Sequence, residues 1–122
     1  MPLSKFDHVN VLTANVEVMA EWYEKVLGLS RGWRPNFSMH GAWMYLDGHP
    51  FVHLVEVDET PGEAGRVEHF AFSAEDLEGF RATLKDHGID GSEIRVPGTD
   101  ILQVNVFDPD GNHLHIDFNV PE

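Results

Sequence analysis

Apolar and polar residues alternate with a period of two in FDHVNVL. Phe6, His8, Asn10 and Leu12 share one direction and Asp7, Val9 and Val11 the other, which predicts a strand with apolar side chains on both faces. The period then lengthens. Val16, Met19, Tyr23, Val26 and Leu27 form one stripe of a helix that Asn15 can cap and Gly28 can end, and the stripe predicts packing on a sheet. After a loop, RGWRPNFSMHG, the segments GAWMYLDG and PFVHLVEV read as a hairpin turning at Asp47 and Gly48, and DETPGEAGR reads as a linker. The plan then returns: a strand VEHFAFS, a helix capped by Ser73 with Leu77, Phe80 and Leu84 before Gly88, and a hairpin of ILQVNVF and HLHIDF joined by DPDGN.

Each half is therefore a strand, a helix and two or three further strands, and neither is large enough to bury its own sheet well. Residues 6–29 align with 67–90 at a shift of 61, matching His8 to His69, and 42–57 align with 104–119 at a shift of 62, matching His53 to His115. Alternation places His53, Val55 and Val57 on one strand face and His113, His115 and Asp117 on the corresponding face of the second half. If the halves are related by an approximate two-fold, equivalent faces converge and the matched histidines meet, which makes a metal site the leading expectation. His40, His49 and His87 have no such match and are read as hydrogen-bonded core or surface residues; His113 stays unassigned between ligand, supporting donor and outer-strand residue.

Composition narrows the chemistry. A chain of 122 residues makes one domain with room for one core, and 42% hydrophobic with 24% charged residues are ordinary globular values. No apolar run approaches a membrane span and the first strand begins soon after the first residue, so a soluble, unprocessed, cytoplasmic protein is expected. Zero cysteines leave only imidazole and carboxylate to hold a metal. A net charge of -13, with 8 scattered Lys and Arg, argues against nucleic acid, and acidity of this kind commonly serves solubility alone.

Nearly the whole chain resembles the vicinal oxygen chelate superfamily of glyoxalase I, fosfomycin-resistance thiol transferases, extradiol dioxygenases and bleomycin-binding proteins. The resemblance is carried by the FDHVNV opening, the helix end WYEKVLGL, the restarting strand VEHFAF and the close DPDGNHLHIDF. It implies an α+β fold of two βαβββ modules, about residues 4–58 and 66–120, whose curved mixed sheets form a cup around a divalent metal (zinc, nickel, manganese or Fe(II)) that binds neighbouring oxygens of a small substrate. A homodimer is implied as well. Carried over by position, the ligands are His8, His69 and His115, with His53 as a fourth.

The chain departs from its relatives at 115, where most metal-dependent members carry glutamate, and at 53, where glyoxalase I carries glutamate or glutamine. An all-imidazole set leaves the cation its full charge and favours anionic oxygen ligands. It also removes the usual glutamate base, for which Asp117 is the candidate replacement, and the carboxylate of the 2-His-1-carboxylate dioxygenase triad. The expected activity is glyoxalase-like lyase or isomerase chemistry, with an Fe(II) dioxygenase or a metal-free binding protein as alternatives. Trp33, Arg34, Phe37 and Trp43 are candidate substrate contacts suited to an aromatic or acidic ligand, or else close the cup or a subunit contact. Arg34 and Arg95 are candidate anion partners, and Glu56, an odd number of residues from His53, is expected at the surface.

Overall fold

The computed structural model describes residues 5–62 and 67–121. The end of the expected linker, 63–66, and the expected module starts at 4 and 66 lie outside the described residues. The chain divides into two compact units, Met1–Gly62 and Glu63–Glu122.

In the first unit the elements follow the order β1 (Val9–Thr13), α1 (Val16–Lys25), β2 (Ser30–Gly32), β3 (Gly41–Leu46) and β4 (His49–Glu56). Spatially the strands run β1-β4-β3-β2, with β1 parallel to β4 and the other pairs antiparallel. A parallel pair cannot be closed by a tight turn, so the helix and two short strands intervene between its members. Asn15 caps α1 by accepting from Val18 N–H at 3.1 Å, and Gly28, at φ 75°, ends it while Leu29 N–H reaches back to the Tyr23 carbonyl at 3.1 Å. Val16, Met19, Ala20 and Tyr23 are the buried stripe of α1, and Ala42, Met44, Val52 and Leu54 are the buried apolar side chains of β3 and β4, with His53 buried beside them. The hairpin turns at Asp47 and Gly48, both with positive φ (52° and 79°), as a type I′ two-residue turn requires.

The second unit repeats this as β5 (His69–Ala74), α2 (Leu77–Asp86), β6 (Ser92–Arg95), β7 (Ile101–Phe107) and β8 (His113–Asn119), in the spatial order β5-β8-β7-β6. Its core holds Leu84, Val104, Val106, Leu114, Ile116 and Phe118, with Phe80 of α2 5.7 Å from the Phe118 ring. The fold is thus α+β, two βαβββ modules with mixed sheets. No helix among the described residues is long and apolar enough to cross a membrane.

Three expectations are corrected. The cap of α2 is Asp76, not Ser73: β5 stays paired with β8 as far as Ala74, which keeps Ser73 in extended backbone opposite Asp117. Asp76 takes a left-handed φ of 70° and accepts from Gly79 N–H at 3.0 Å, and a Cβ at Gly79 would collide with that carboxylate at 2.3 Å. The loop after α1 is also shorter than expected, because Ser30, Arg31 and Gly32 pair with Tyr45, Met44 and Trp43. All three residues of this edge strand are exposed, so no apolar alternation marks it. Glu56 is half-buried at the end of β4 and does not lie fully at the surface.

Replacing Asp76 with alanine removes the cap acceptor and with it the local hydrogen bond that makes left-handed backbone tolerable to a residue with a Cβ, so it should cost about 1–2 kcal/mol, whereas Ser73→Ala should stay within about 0.5 kcal/mol. Denaturant unfolding of the two variants checks this; equal losses would return the cap to Ser73.

Candidate metal and substrate site

The parallel pairing of first and last strands sets the histidines side by side within each unit. In the first, Asn10 is opposite His53, and the rings of His8 and His53 stack at 3.8 Å and 10°. In the second, His69 is opposite His113 and Ala71 opposite His115, leaving the His69 ring 5.1 Å from His113 and 4.8 Å from His115. The register is the same in both units, and Phe51 occupies in the first unit the repeat position that His113 holds in the second.

Each matched histidine has one nitrogen held by an acceptor. His8 Nδ1–H donates to Asp7 Oδ2 at 2.7 Å, His69 Nδ1–H to Glu68, and His115 Nδ1–H to Asp117 Oδ1 at 2.5 Å. His53 instead donates Nε2–H to the Pro50 carbonyl at 3.0 Å. A carboxylate or carbonyl only accepts, so the facing nitrogen carries the proton and the other keeps a lone pair in the neutral ring. The lone pairs fall on Nε2 of His8, His69 and His115 and on Nδ1 of His53, none of which has a hydrogen-bond partner among the described residues. Metal-binding histidines are commonly oriented in this way, and within each unit the pair presents free imidazole nitrogens of the kind that hold a divalent cation.

Asp7 and Glu68 are repeat equivalents, and the hydrogen bonds from His8 and from His69 are the largest cause holding each carboxyl below its ordinary range. His53 is shifted down chiefly by burial and next by the charge of His8, which keeps its ring neutral. Stacking does constrain the first pair, since lone pairs in nearly parallel planes cannot converge on one ion until one ring turns. The tilt of 46° between His69 and His115 imposes no such limit. His113 is differently placed: Nδ1 faces Glu68 Oε1 at 3.2 Å and Nε2 faces Asn105 Oδ1 at 2.8 Å. Ligand atoms of Glu68, His69 and His113 do lie within 4.8 Å of one another, but these groups are already joined by hydrogen bonds.

The candidate substrate contacts join the first histidine pair. Trp43, opposite His53 in the β3–β4 ladder, stacks on its ring at 4.0 Å and 11°. Trp33 and Phe37 approach Trp43 at 6.2 and 6.3 Å, and Arg34 lies over Phe37 at 4.8 Å. The Tyr45 hydroxyl donates to the Trp33 carbonyl at 2.6 Å and so anchors the start of this loop to β3. Asp117 is engaged by His115 through Oδ1, while Oδ2 has no partner among the described residues. Arg95 donates to the Val120 carbonyl at 2.8 Å, while His40 faces Glu17, and His49 contacts the backbone of Asp7. Sequence reasoning missed Asp7, Glu68 and Pro50 as the groups that fix the histidine tautomers; an acidic residue immediately before His8, which directly precedes β1, and before His69, which opens β5, was the available signal.

A βαβββ repeat whose strand faces carry matched histidines beside carboxylates defines a class of small α+β proteins with a candidate metal centre. The chain belongs to the Glyoxalase/Bleomycin resistance protein/Dioxygenase superfamily, whose sequence model matches residues 5–116. It is 30% identical to "Glyoxylase I 4" of Arabidopsis thaliana over 93% of this chain and 70% of that protein. Among solved structures, it resembles a glyoxylase/bleomycin resistance protein/dioxygenase domain from Frankia sp. EAN1pec, with TM-score 0.80 and 20% identity over 97% of this chain and 93% of that one. A fosfomycin resistance protein from Listeria monocytogenes gives TM-score 0.77 and 11% identity, covering 96% and 94% of the two chains.

The lowered pKa of His53 has a definite sign. A histidine depressed on folding stabilises the native state fully above its unfolded value of 6.5, and that stabilisation is lost as pH falls through the folded value. In metal-free protein the His53 ring should titrate with a midpoint below 6.5 by NMR, and His53→Gln should flatten the loss of stability on acidification; a midpoint at or above 6.5 would contradict this.

Proposed function

We propose that the protein is a metal-dependent enzyme in which His8, His53, His69 and His115 hold a divalent cation, zinc, nickel, manganese or Fe(II), for glyoxalase-like lyase or isomerase chemistry on a small substrate. Support comes above all from the acceptor at each histidine, which fixes its protonated nitrogen and leaves the opposite lone pair for a metal. When bound, the cation supplies Lewis acidity toward neighbouring substrate oxygens. Asp7, Glu68 and Asp117 orient His8, His69 and His115. Oδ2 of Asp117 is the candidate proton acceptor, and Trp33, Arg34, Phe37 and Trp43 the candidate substrate contacts. The relationship to "Glyoxylase I 4" favours this chemistry.

A second reading, Fe(II)-dependent oxygenation, draws on Glu68, His69 and His113, whose composition of two imidazoles and one carboxylate is that of oxygen-activating iron sites. Oxygen uptake with a catechol after anaerobic loading of Fe(II) would favour it over lyase or isomerase chemistry. Metal-free ligand binding, the remaining possibility for this superfamily, predicts binding unaffected by chelator. The enzyme is further taken to be a cytoplasmic homodimer acting on a small molecule, without nucleic-acid or membrane partners; light scattering at the mass of one chain would contradict the dimer.

Metal analysis of protein purified without a histidine tag should find bound divalent cation, one equivalent per chain if both histidine pairs serve one ion and two if they act separately. His8→Ala and His69→Ala should reduce it, and Asp7→Asn or Glu68→Gln should weaken affinity by roughly 10–100-fold with the ligands intact. Absence of metal from both purified and reconstituted wild type would refute the proposal.

A further inference from the structure

Arg34 is out of keeping with the charge pattern around it. The chain has 21 Asp and Glu against 8 Lys and Arg. Arg31 pairs with Glu17, Arg81 with Glu78 and Glu93, and Lys25 with Glu21. Arg34, although half-buried, meets no carboxylate among the described residues. Its Nη2–H donates to the Met39 carbonyl at 3.2 Å, its Nε is buried without an acceptor, and Nη1 has no partner among the described residues. Withdrawing a guanidinium from water without a counter-ion is unfavourable, and such a group is a ready receptor for a planar oxyanion.

The surroundings indicate what would carry that oxyanion. Arg34 packs over Phe37, which approaches Trp43, and Trp43 stacks on His53. Trp33 and Phe37 are 71% and 48% exposed, leaving aromatic surface open beside the cation. Gly41 leaves room beside the guanidinium: a Cβ there would lie 2.4 Å from the Leu54 carbonyl oxygen and 2.7 Å from Arg34 Nη2, so the β3–β4 backbone itself requires glycine and Arg34 rests against the bare strand. A continuous path therefore runs from a cation without a carboxylate partner among the described residues, across aromatic rings, to a histidine of the candidate metal site.

We propose that Arg34 is the anion anchor of the substrate site and that the site takes a planar aromatic carboxylate, its carboxylate on the guanidinium and its ring on Phe37 and Trp43. This rests on the substrate-contact role given above to the same loop, but not on the metal. The test therefore uses full-length protein stripped with chelator, with benzoate and its uncharged isostere benzamide as probes, followed by tryptophan fluorescence and titration calorimetry. Wild type should bind benzoate at least about tenfold more tightly than benzamide. Arg34→Met, which keeps the apolar stem, should erase that preference; Arg34→Lys, which keeps charge but not the fork, should retain part of it. Circular dichroism verifies folding of each variant, and Arg34→Lys serves if Arg34→Met does not fold. Equal affinity for the probes in wild type, a preference surviving in Arg34→Met, a preference undiminished in Arg34→Lys, or no benzoate binding at about 20 mM would overturn the proposal. Metal content, measured separately on untreated protein, decides the metal-centre proposal independently: the carboxylate preference can fail with metal retained, or hold with metal absent.

Discussion

Everything in each unit depends on one constraint, the parallel pairing of its first strand with its last. Parallel strands need a crossover, and here α1 or α2 with two intervening strands fills it, covering one sheet face with an apolar helix stripe. The other face then carries the residues that alternate out of the core. Because β1 abuts β4 and β5 abuts β8, histidines 45 or 46 positions apart come into ring contact. A slip of one residue in either ladder would turn that strand's histidines toward the helix, so the buried face that fixes register also fixes the chemistry.

The chemical character of the histidine face comes from neighbours as much as from the imidazoles. Asp7 and Glu68 sit one residue before their histidines, and Asp117 two residues after His115. With no cysteine and no glutamate at the aligned positions, these carboxylates act at one remove, selecting which nitrogen keeps its lone pair. The second unit adds His113, which makes its cluster richer, whereas the first has Phe51 at that position and places Trp43 against His53 instead. The two pairs are alike in ancestry of pattern and unlike in packing: one is stacked ring on ring, the other tilted.

Much of the fold was legible in the chain. The I′ turn at Asp47 and Gly48, the Asn15 cap and the buried stripe at Val16, Met19 and Tyr23 are local features, set by positive φ, a side-chain acceptor and helical spacing. Ser73 was misassigned because a hydroxyl ahead of an acidic residue looks locally like a cap, while the pairing of Ala74 with Phe118 of a distant strand keeps that backbone extended. The repeat pointed the other way, since Asp76 matches Asn15. The edge strand Ser30–Gly32 left no signal, being exposed throughout. Within the candidate site, the four matched histidines were visible as a repeat, whereas the engagement of Asp117 by His115 and the stacking of Trp43 on His53 depend on contacts that no periodicity encodes.

The sequence by itself determined the elements, the repeat and the residue types available for chemistry, because periodicity, caps and turns act over a few residues and the doubled pattern is written in the order of the chain. The tertiary structure alone decided which nitrogen of each histidine is committed to an acceptor, that His8 and His53 lie stacked, and that Arg34 is half-buried without a carboxylate partner among the described residues. Those outcomes depend on distances between side chains remote in sequence or on rotamers chosen in packing, and small shifts in either leave composition and pattern unchanged.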